Sequence, residues 1–431
     1  MTWTTLTVEV TTPLFNGGAD PDGSAGFRPD DDAGIRVASI RGAMRFWFRA
    51  LAGTVAGPDL RLLAGLECHV FGDAGNPSPL QMRIPQQPRV ERTEAPDFLA
   101  GERGKWIGYL LGPGMIKYDA ANHRFRLTRR YIGTGQKFDI KLRFPREDVG
   151  TLALGALRLC CMYGGFGART RRGFGGVRIV AVDGPLAGPW TEDSLKGWGL
   201  ADFAGMRSLQ PAGELASCRE VLKAMRGQVL AELGSPVSSQ QEFDNDWSSP
   251  PPYPVLSPAR SVVGLSGGEP FENWENTLWH AGEQLRHFRA PEANNRQDAN
   301  YKPKIETPEW KDVVHGTSDH FKVGALGLPV VYKDGYVVNV DRKSGRAAEK
   351  LRRASPLWLR AVETGGDWRL LSFAFLGQFL PGPNAPHVHL WQKNDQDKSL
   401  QVTDDDIRQL AGQWISELRA DRSFTGTARR A

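Results

Sequence analysis

The segment from Glu147 to Val182 constrains the fold more than any other stretch of the chain. Its first part, EDVGTLALGALRLCCMY, is apolar nearly all round, which predicts a buried helix from about Glu147 to Tyr163. The thirteen residues that follow, GGFGARTRRGFGG (164–176), include seven glycines or alanines and three arginines. A strand, Val177 to Val182, comes next. Just upstream, Phe138, Ile140, Leu142 and Phe144 alternate with Lys137, Asp139, Lys141 and Arg143, so 137–145 reads as a half-buried strand with a basic open face. A buried helix between two such strands is the grammar of a layered α+β fold.

The rest of the first half completes a βαββαβ unit. Thr2–Thr12 alternates as a strand, and a helix is expected from Ile40 to about Ala52, with Ser39 as its N-cap and Gly53 as its stop. Residues 124–131 read as a strand paired with 137–145 across Gly133 and Gly135, whereas 58–103 carries no clear pattern. The second half repeats the grammar more loosely. It has helical stripes near 214–233 and 271–288, a hairpin at Asp334-Gly335, and a strand pair (356–363 and 368–379) across Gly365-Gly366. A final helix is expected to begin at Thr403, with Asp404–Asp406 at its positive end. At 431 residues the chain has room for two or three domains. The expected division is 1–183, a connecting segment 184–260 containing the Ser/Pro-rich SSPPPYPVLSP, and 261–431, with 289–312 as a polar, mobile stretch.

Charge narrows the function. Residues 1–183 carry 25 Lys/Arg against 18 Asp/Glu, and 123–178 carry 13 against 3. Repulsion on that scale favours an anionic partner, with nucleic acid first and an acidic protein second. No apolar run reaches the ~18–20 residues of a membrane span, and neither a signal peptide nor a CxxC pair is present among Cys68, Cys160, Cys161 and Cys218. These features lead to the expectation of a soluble, cytoplasmic protein without a zinc or disulfide framework.

In the 164–176 loop, Gly165, Gly167, Gly173 and Gly175 would shape the backbone and let its amides approach a polyanion, while Arg169, Arg171 and Arg172 supply planar donors for phosphate. The alternative is a flexible loop with solvated charge. A dinucleotide fingerprint fits poorly, because here the loop follows a helix and precedes a strand, and a Walker loop would end in Gly-Lys-Ser/Thr. In SIRGAMRFWFRAL (39–51), Arg41, Arg45 and Arg49 recur every four residues as one basic stripe, opposite an apolar stripe of Ile40, Met44, Trp47 and Leu51. No acid lies within that helix. A solvated face is the alternative here as well.

TPLFNGGAD (12–20), the 39–51 helix and the Gly/Arg loop together resemble the RAMP superfamily of CRISPR proteins. More narrowly, the opening is similar to the first-numbered RAMP subunit of the Cmr (type III-B) effector, and Leu326–Pro329 and RRASPLWLR (352–360) fit it too. The resemblance implies two tandem ferredoxin-like (RRM-like) domains with loop insertions. It also implies a non-catalytic RNA-binding subunit in antiviral defence. Such a subunit would hold the crRNA 3′ region beside other RAMP subunits and possibly help capture target RNA. Arg41, Arg45, Arg49 and the loop arginines would then grip phosphates.

Two rival readings are a metal-independent endoribonuclease that matures guide RNA, and a scaffold that uses its basic face on an acidic subunit. Catalysis would need a base, and none of the eight histidines lies in the loop. His123 is the nearest to the basic strands, while His315 and His320 flank Asp319. His387 and His389 would share a strand face, but no cysteine or carboxylate cluster completes a metal site, and no cofactor is expected. Asp30–Asp32 and Asp404–Asp406 read as a loop and a helix start. The basic segment DRKSGRAAEKLRR (341–353) either extends the RNA path into the second domain or is a solvated loop.

Overall fold

Strand β1 (Thr4–Val10) buries Thr4, Leu6, Val8 and Val10 and turns Thr5, Thr7 and Glu9 outward. It lies inside a four-stranded antiparallel sheet of order β2–β7–β1–β8, with β2 at Gln81–Arg83, β7 at Lys137–Arg143 and β8 at Val177–Asp183. Leu6 sits opposite Ile140 and Val8 opposite Phe138, so the alternation read in the sequence delivers one apolar face. Helices α1 (Val37–Ala56) and α4 (Glu147–Tyr163) cover that face in a shared core. Taken in chain order, these elements form a βαββαβ unit, but its second strand is Gln81–Arg83 and not the expected 124–131.

The computed structural model describes residues 2–16, 34–197, 203–234, 247, 249–290, 307–332, 335–344, 347–382, 387–391 and 397–420. Asp30–Asp32, Asp334, most of the loop 16–34 and most of 289–312 lie outside them.

Several local expectations are corrected. Helix α1 starts three residues before Ile40 and has Arg36, not Ser39, at its cap position. Gly53 does not end it, because the glycine lies inside the helix, where a Cβ would come within 2.7 Å of the Tyr253 ring. Residues 124–131 do not pair with 137–145. Strand β5 (Arg124–Leu127) pairs with β4 (Ile116–Asp119), and β6 (Tyr131–Ile132) with β3 (Val90–Glu91). The Gly135 amide donates to the Val10 carbonyl (2.8 Å), which steers the chain into β1, whose apolar side belongs to the same core. The region 58–103 contains α2 (Leu60–Phe71), capped by the Asp59 side chain, and the start of α3 (Gly101–Leu111).

In the second half, β9 (Ser261–Leu265), β13 (Leu357–Thr364) and β14 (Asp367–Phe375) form a sheet of order β13–β14–β9. A second sheet is built from β10 (Val330–Val331), β11 (Val337–Ser344), β12 (Ala347–Leu351), β15 (His387–Trp391) and β16 (Asp397–Leu400). The segment 184–260 is more than a connection. It carries α5 (Glu192–Lys196) and α6 (Glu214–Glu232), and Leu222 and Val229 of α6 enter the first core. Helices α7 (Trp274–Arg289), α8 (Pro308–His315) and α9 (Asp404–Ala420) belong to the second half.

The two halves interlock. Strand β13 is buried on both faces: Leu357, Leu359 and Ala361 point into the second core, Trp358 and Val362 into the first. Trp47 of α1 therefore meets Trp358 at 5.5 Å and Phe373 at 6.1 Å between ring centroids. Helix α3 from the first half packs on α7 so closely that a Cβ on Gly282 would lie 2.2 Å from the Trp106 carbonyl oxygen.

Candidate nucleic-acid interface

The three arginines on α1 do not form an open stripe. Arg45 and Arg49 both bind the buried carboxylate of Glu67 on α2, Arg49 at 2.8 Å, and Arg41 reaches the Leu80 carbonyl at 3.4 Å. Arg45 and Arg49 thus share one acid from the next helix, which a reading confined to 39–51 passes over. Arg45 and Arg49 are held between α1 and α2 by that carboxylate, whereas Arg41 has only the carbonyl of Leu80.

The Gly/Arg loop is ordered by its own backbone. The Phe166 amide donates to the Gly175 carbonyl (2.9 Å), Ala168 to Phe15 (2.7 Å) and Gly175 to Pro13 (2.9 Å). The Thr12 hydroxyl donates to the Gly173 carbonyl and accepts from the Gly176 amide, each at 2.8 Å. These amides are already satisfied, so they are not presented to a polyanion as expected. The glycines serve instead where strands of chain cross. Gly167 (φ 86°) and Gly175 (φ 67°) would place a Cβ 2.4 Å from the Phe15 and 2.0 Å from the Phe166 carbonyl oxygen. Gly165 and Gly173 also sit at positive φ. Gly175→Ala is expected to cost about 2 kcal/mol, read as a lower Tm in thermal denaturation. An unchanged Tm would show that the crossing is loose.

Arg360 on β13 seals the loop from the other half. Fully buried, it donates to the carbonyls of Cys161, Gly164 and Val177 (2.9 Å to Val177). Those oxygens lie at the C-terminal end of α4, the start of the loop and the start of β8. Sequence inspection placed Arg360 within a family pattern without assigning it this work.

The loop arginines differ in kind from those of α1. Burial, then the neighbouring Arg352 and Arg129, hold Arg169 below the usual arginine range. Arg171 is lowered to about 10 by burial and Arg353, and Arg172 to about 10 by burial and then chiefly Arg289. Among the described residues none of the three loop arginines forms an ion pair with a carboxylate. Arg171 donates to the Ser355 carbonyl (2.9 Å) and lies 5.0 Å over the Trp358 ring. At neutral pH the fold carries these buried cations at a cost that a bound anion would relieve.

A groove of about 490 Å³ opens between the loop and the start of α1. Arg36, Arg129 and Arg171 rim it, and Ala43, Phe46 and Trp358 line it below. Among the described residues helix α1 has no side-chain cap and no acid in its first turn. Arg129 was legible only as part of the basic run 123–178, and Arg352 only as the end of the basic segment 341–353.

No histidine lines the groove. His123 stands in an exposed turn, and His320 bonds Asp406, which is buried at the start of α9. His387 and His389 lie with ring centroids 6.2 Å apart. Among the described residues no group of three or more His, Cys, Asp or Glu is placed to hold a metal, and no helix is long and apolar enough to cross a membrane.

Residues 7–178 match the RAMP superfamily. Over 359 residues the chain is 27% identical to the CRISPR system Cmr subunit Cmr1-1 of Pyrococcus furiosus, which covers 83% of this chain and 85% of that protein. It is 30% identical over 192 residues to Cmr subunit Cmr1-2 of the same organism, covering 40% of this chain and 92% of the relative. The crystal structure of Pyrococcus furiosus Cmr1 in its apo form shares the fold, with a TM-score of 0.50 at 21% identity over 96% of this chain and 97% of that one. The chain belongs to the RAMP superfamily of CRISPR-associated proteins, as a relative of the Cmr1 subunits.

Proposed function

We propose that this chain is a non-catalytic RNA-binding subunit of a type III-B CRISPR (Cmr) effector complex. In this role it holds the 3′ region of the crRNA beside neighbouring RAMP subunits, helps capture target RNA, and serves antiviral defence. Its two halves are read as ferredoxin-like units, the second lacking a fourth strand among the described residues.

One observation carries the reading. Burial, and then neighbouring arginines, hold Arg169, Arg171 and Arg172 below the usual arginine range, and among the described residues none of the three pairs with a carboxylate, whereas Arg45 and Arg49 share Glu67. An uncompensated cluster of guanidinium groups on a rigid frame fits a sugar-phosphate chain. Such groups hold charge at neutral pH without exchanging protons, so they bind phosphate but do not deprotonate a 2′-hydroxyl.

The test is a salt titration of single-stranded RNA binding. The logarithm of the association constant should fall linearly with the logarithm of salt, with a slope of about −3 for four or five phosphate contacts. RNA incubated with the protein and chelator should be recovered whole. A salt-insensitive affinity, or a single discrete cut, would overturn the proposal. The pH profile gives an independent reading. With Arg171 and Arg172 at about 10 and no histidine in the groove, affinity for oligoadenylate should be flat from about pH 6 to 9 and fall only above that. A loss of affinity centred near pH 6.5 would instead assign the binding to a histidine.

A further inference from the structure

We infer that the outward face of the first sheet, around Trp3, is a docking surface for an acidic segment of a partner protein, whose carboxylates meet Arg83, Lys141 and Arg143. This deepens the reading of the chain as one subunit beside others, and rests on that part of it.

The antiparallel register assembles the patch. Arg83 of β2 lies opposite Lys141 of β7, Lys141 lies opposite Thr5 of β1, and Arg143 lies opposite Gln81. Alternation turns all of them away from the helices. Trp3, just before β1, shares the parity of Thr5 and stands on the same face. The guanidinium of Arg83 lies 4.6 Å from its ring centroid and that of Arg143 5.1 Å. Arg143 also donates to the neutral amide oxygen of Gln81 (3.0 Å). Arg83 is exposed, and Trp3, Lys141 and Arg143 are half-buried. Among the described residues none of these three cations forms an ion pair. The acids of this face are engaged or set apart. Glu9 binds Arg178 (3.1 Å), Asp139 accepts from the Thr7 hydroxyl (2.8 Å), and Asp183 stands across β1 from Lys141, opposite Thr5.

Position separates this patch from the Gly/Arg loop. The loop meets the chain at Thr12, past the end of β1, whereas Trp3 precedes its start. The seven residues of β1 put about 23 Å between them. A phosphate chain would answer the cations, but two guanidiniums already claim the Trp3 ring, so its bases would find no free ring to stack on. Carboxylates of a protein need no such ring, and each takes a guanidinium fork in two parallel hydrogen bonds. Lys141 and Arg143 are alternate residues of one strand, about 7 Å apart, which is the spacing of alternate side chains on an extended peptide. Tryptophan and arginine together are also the residues that most often anchor protein interfaces.

The probe is a labelled peptide of alternating Glu and Thr, about twelve residues long, measured by fluorescence anisotropy on the full-length protein beside oligoadenylate. The variant carrying Arg83→Glu, Lys141→Glu and Arg143→Glu is expected to bind the peptide about tenfold more weakly and oligoadenylate within about twofold of wild type. Saturating oligoadenylate should leave the peptide in place. Equal losses on the two probes, or displacement of the peptide, would put a polynucleotide on this face and overturn the proposal. An unchanged peptide affinity in the variant overturns it as well, and leaves the cations as charges that guard a sheet edge. A wild-type protein that binds the peptide but not oligoadenylate overturns the RNA-binding reading and leaves the docking face standing. Should the triple variant fail to fold, Lys141→Glu decides alone, because that ammonium makes no hydrogen bond or ion pair among the described residues. It is expected to cost about threefold in peptide affinity, and no loss refutes the docking face.

Discussion

Replacing Arg360 by methionine is expected to destabilise the protein by about 3 kcal/mol, the largest loss from any single substitution considered. Arg360 fills a position of β13 that points into the first core, between Trp358 and Val362. Its guanidinium answers three carbonyls, those of Cys161, Gly164 and Val177. Methionine keeps much of the volume but donates nothing, so each oxygen becomes a buried acceptor without that donor, at about 1–3 kcal/mol apiece. Part of that sum is offset, because burial holds the cation at about 10, well below its ordinary range, and removing it relieves the cost. The net effect should appear as a Tm about 5 °C lower. Lysine should not rescue, since one ammonium on a flexible stem cannot span three carbonyls as a planar fork does. An undiminished Tm for Arg360→Met would mean that the other contacts between the two halves hold them without this guanidinium.

Arg360 also shows where a sequence stops being informative. The alternation of 137–143 and the all-round apolarity of 147–163 translate directly into a half-buried strand and a buried helix, because period and burial are local properties. Partnership is not local. Nothing in LWLRAV says that its arginine will cap the end of a helix two hundred residues earlier, and nothing in SIRGAMRFWFRAL says that Glu67 will neutralise its arginines. The double burial of β13, which is how it links the two halves, is likewise a property of the folded chain. Residues 124–127 close a local hairpin with 116–119, and the edge of β7 away from β1 is taken instead by β2, a non-local partner from far upstream. For the candidate site the sequence identified the loop and the need for glycines to shape it, but not what they pass. Their positive φ values serve crossings with Phe15 and Phe166, contacts visible only once the chain is folded.

Two sets of charge reversals should separate the arginines that bind from those that pack. The triple variant Arg129→Glu, Arg169→Glu, Arg352→Glu is expected to weaken single-stranded RNA binding roughly a hundredfold or more, and to make the salt slope shallower by about 2. Because Arg352 and Arg129 both push Arg169 below its ordinary range, the fold loses repulsion along with them, and the Tm should hold or rise. The double variant Arg45→Glu, Arg49→Glu should behave in the opposite way. It strands the buried Glu67 among new carboxylates, lowering stability by about 2 kcal/mol, while RNA affinity measured below its Tm stays within a few-fold of wild type. The salt slope carries the discrimination, since a merely damaged fold lowers the bound fraction without changing how many counterions each bound strand releases. If instead the double variant flattened the slope and the triple variant did not, the path of the strand would run along α1 and α2, and the cluster around the Gly/Arg loop would be left without a ligand.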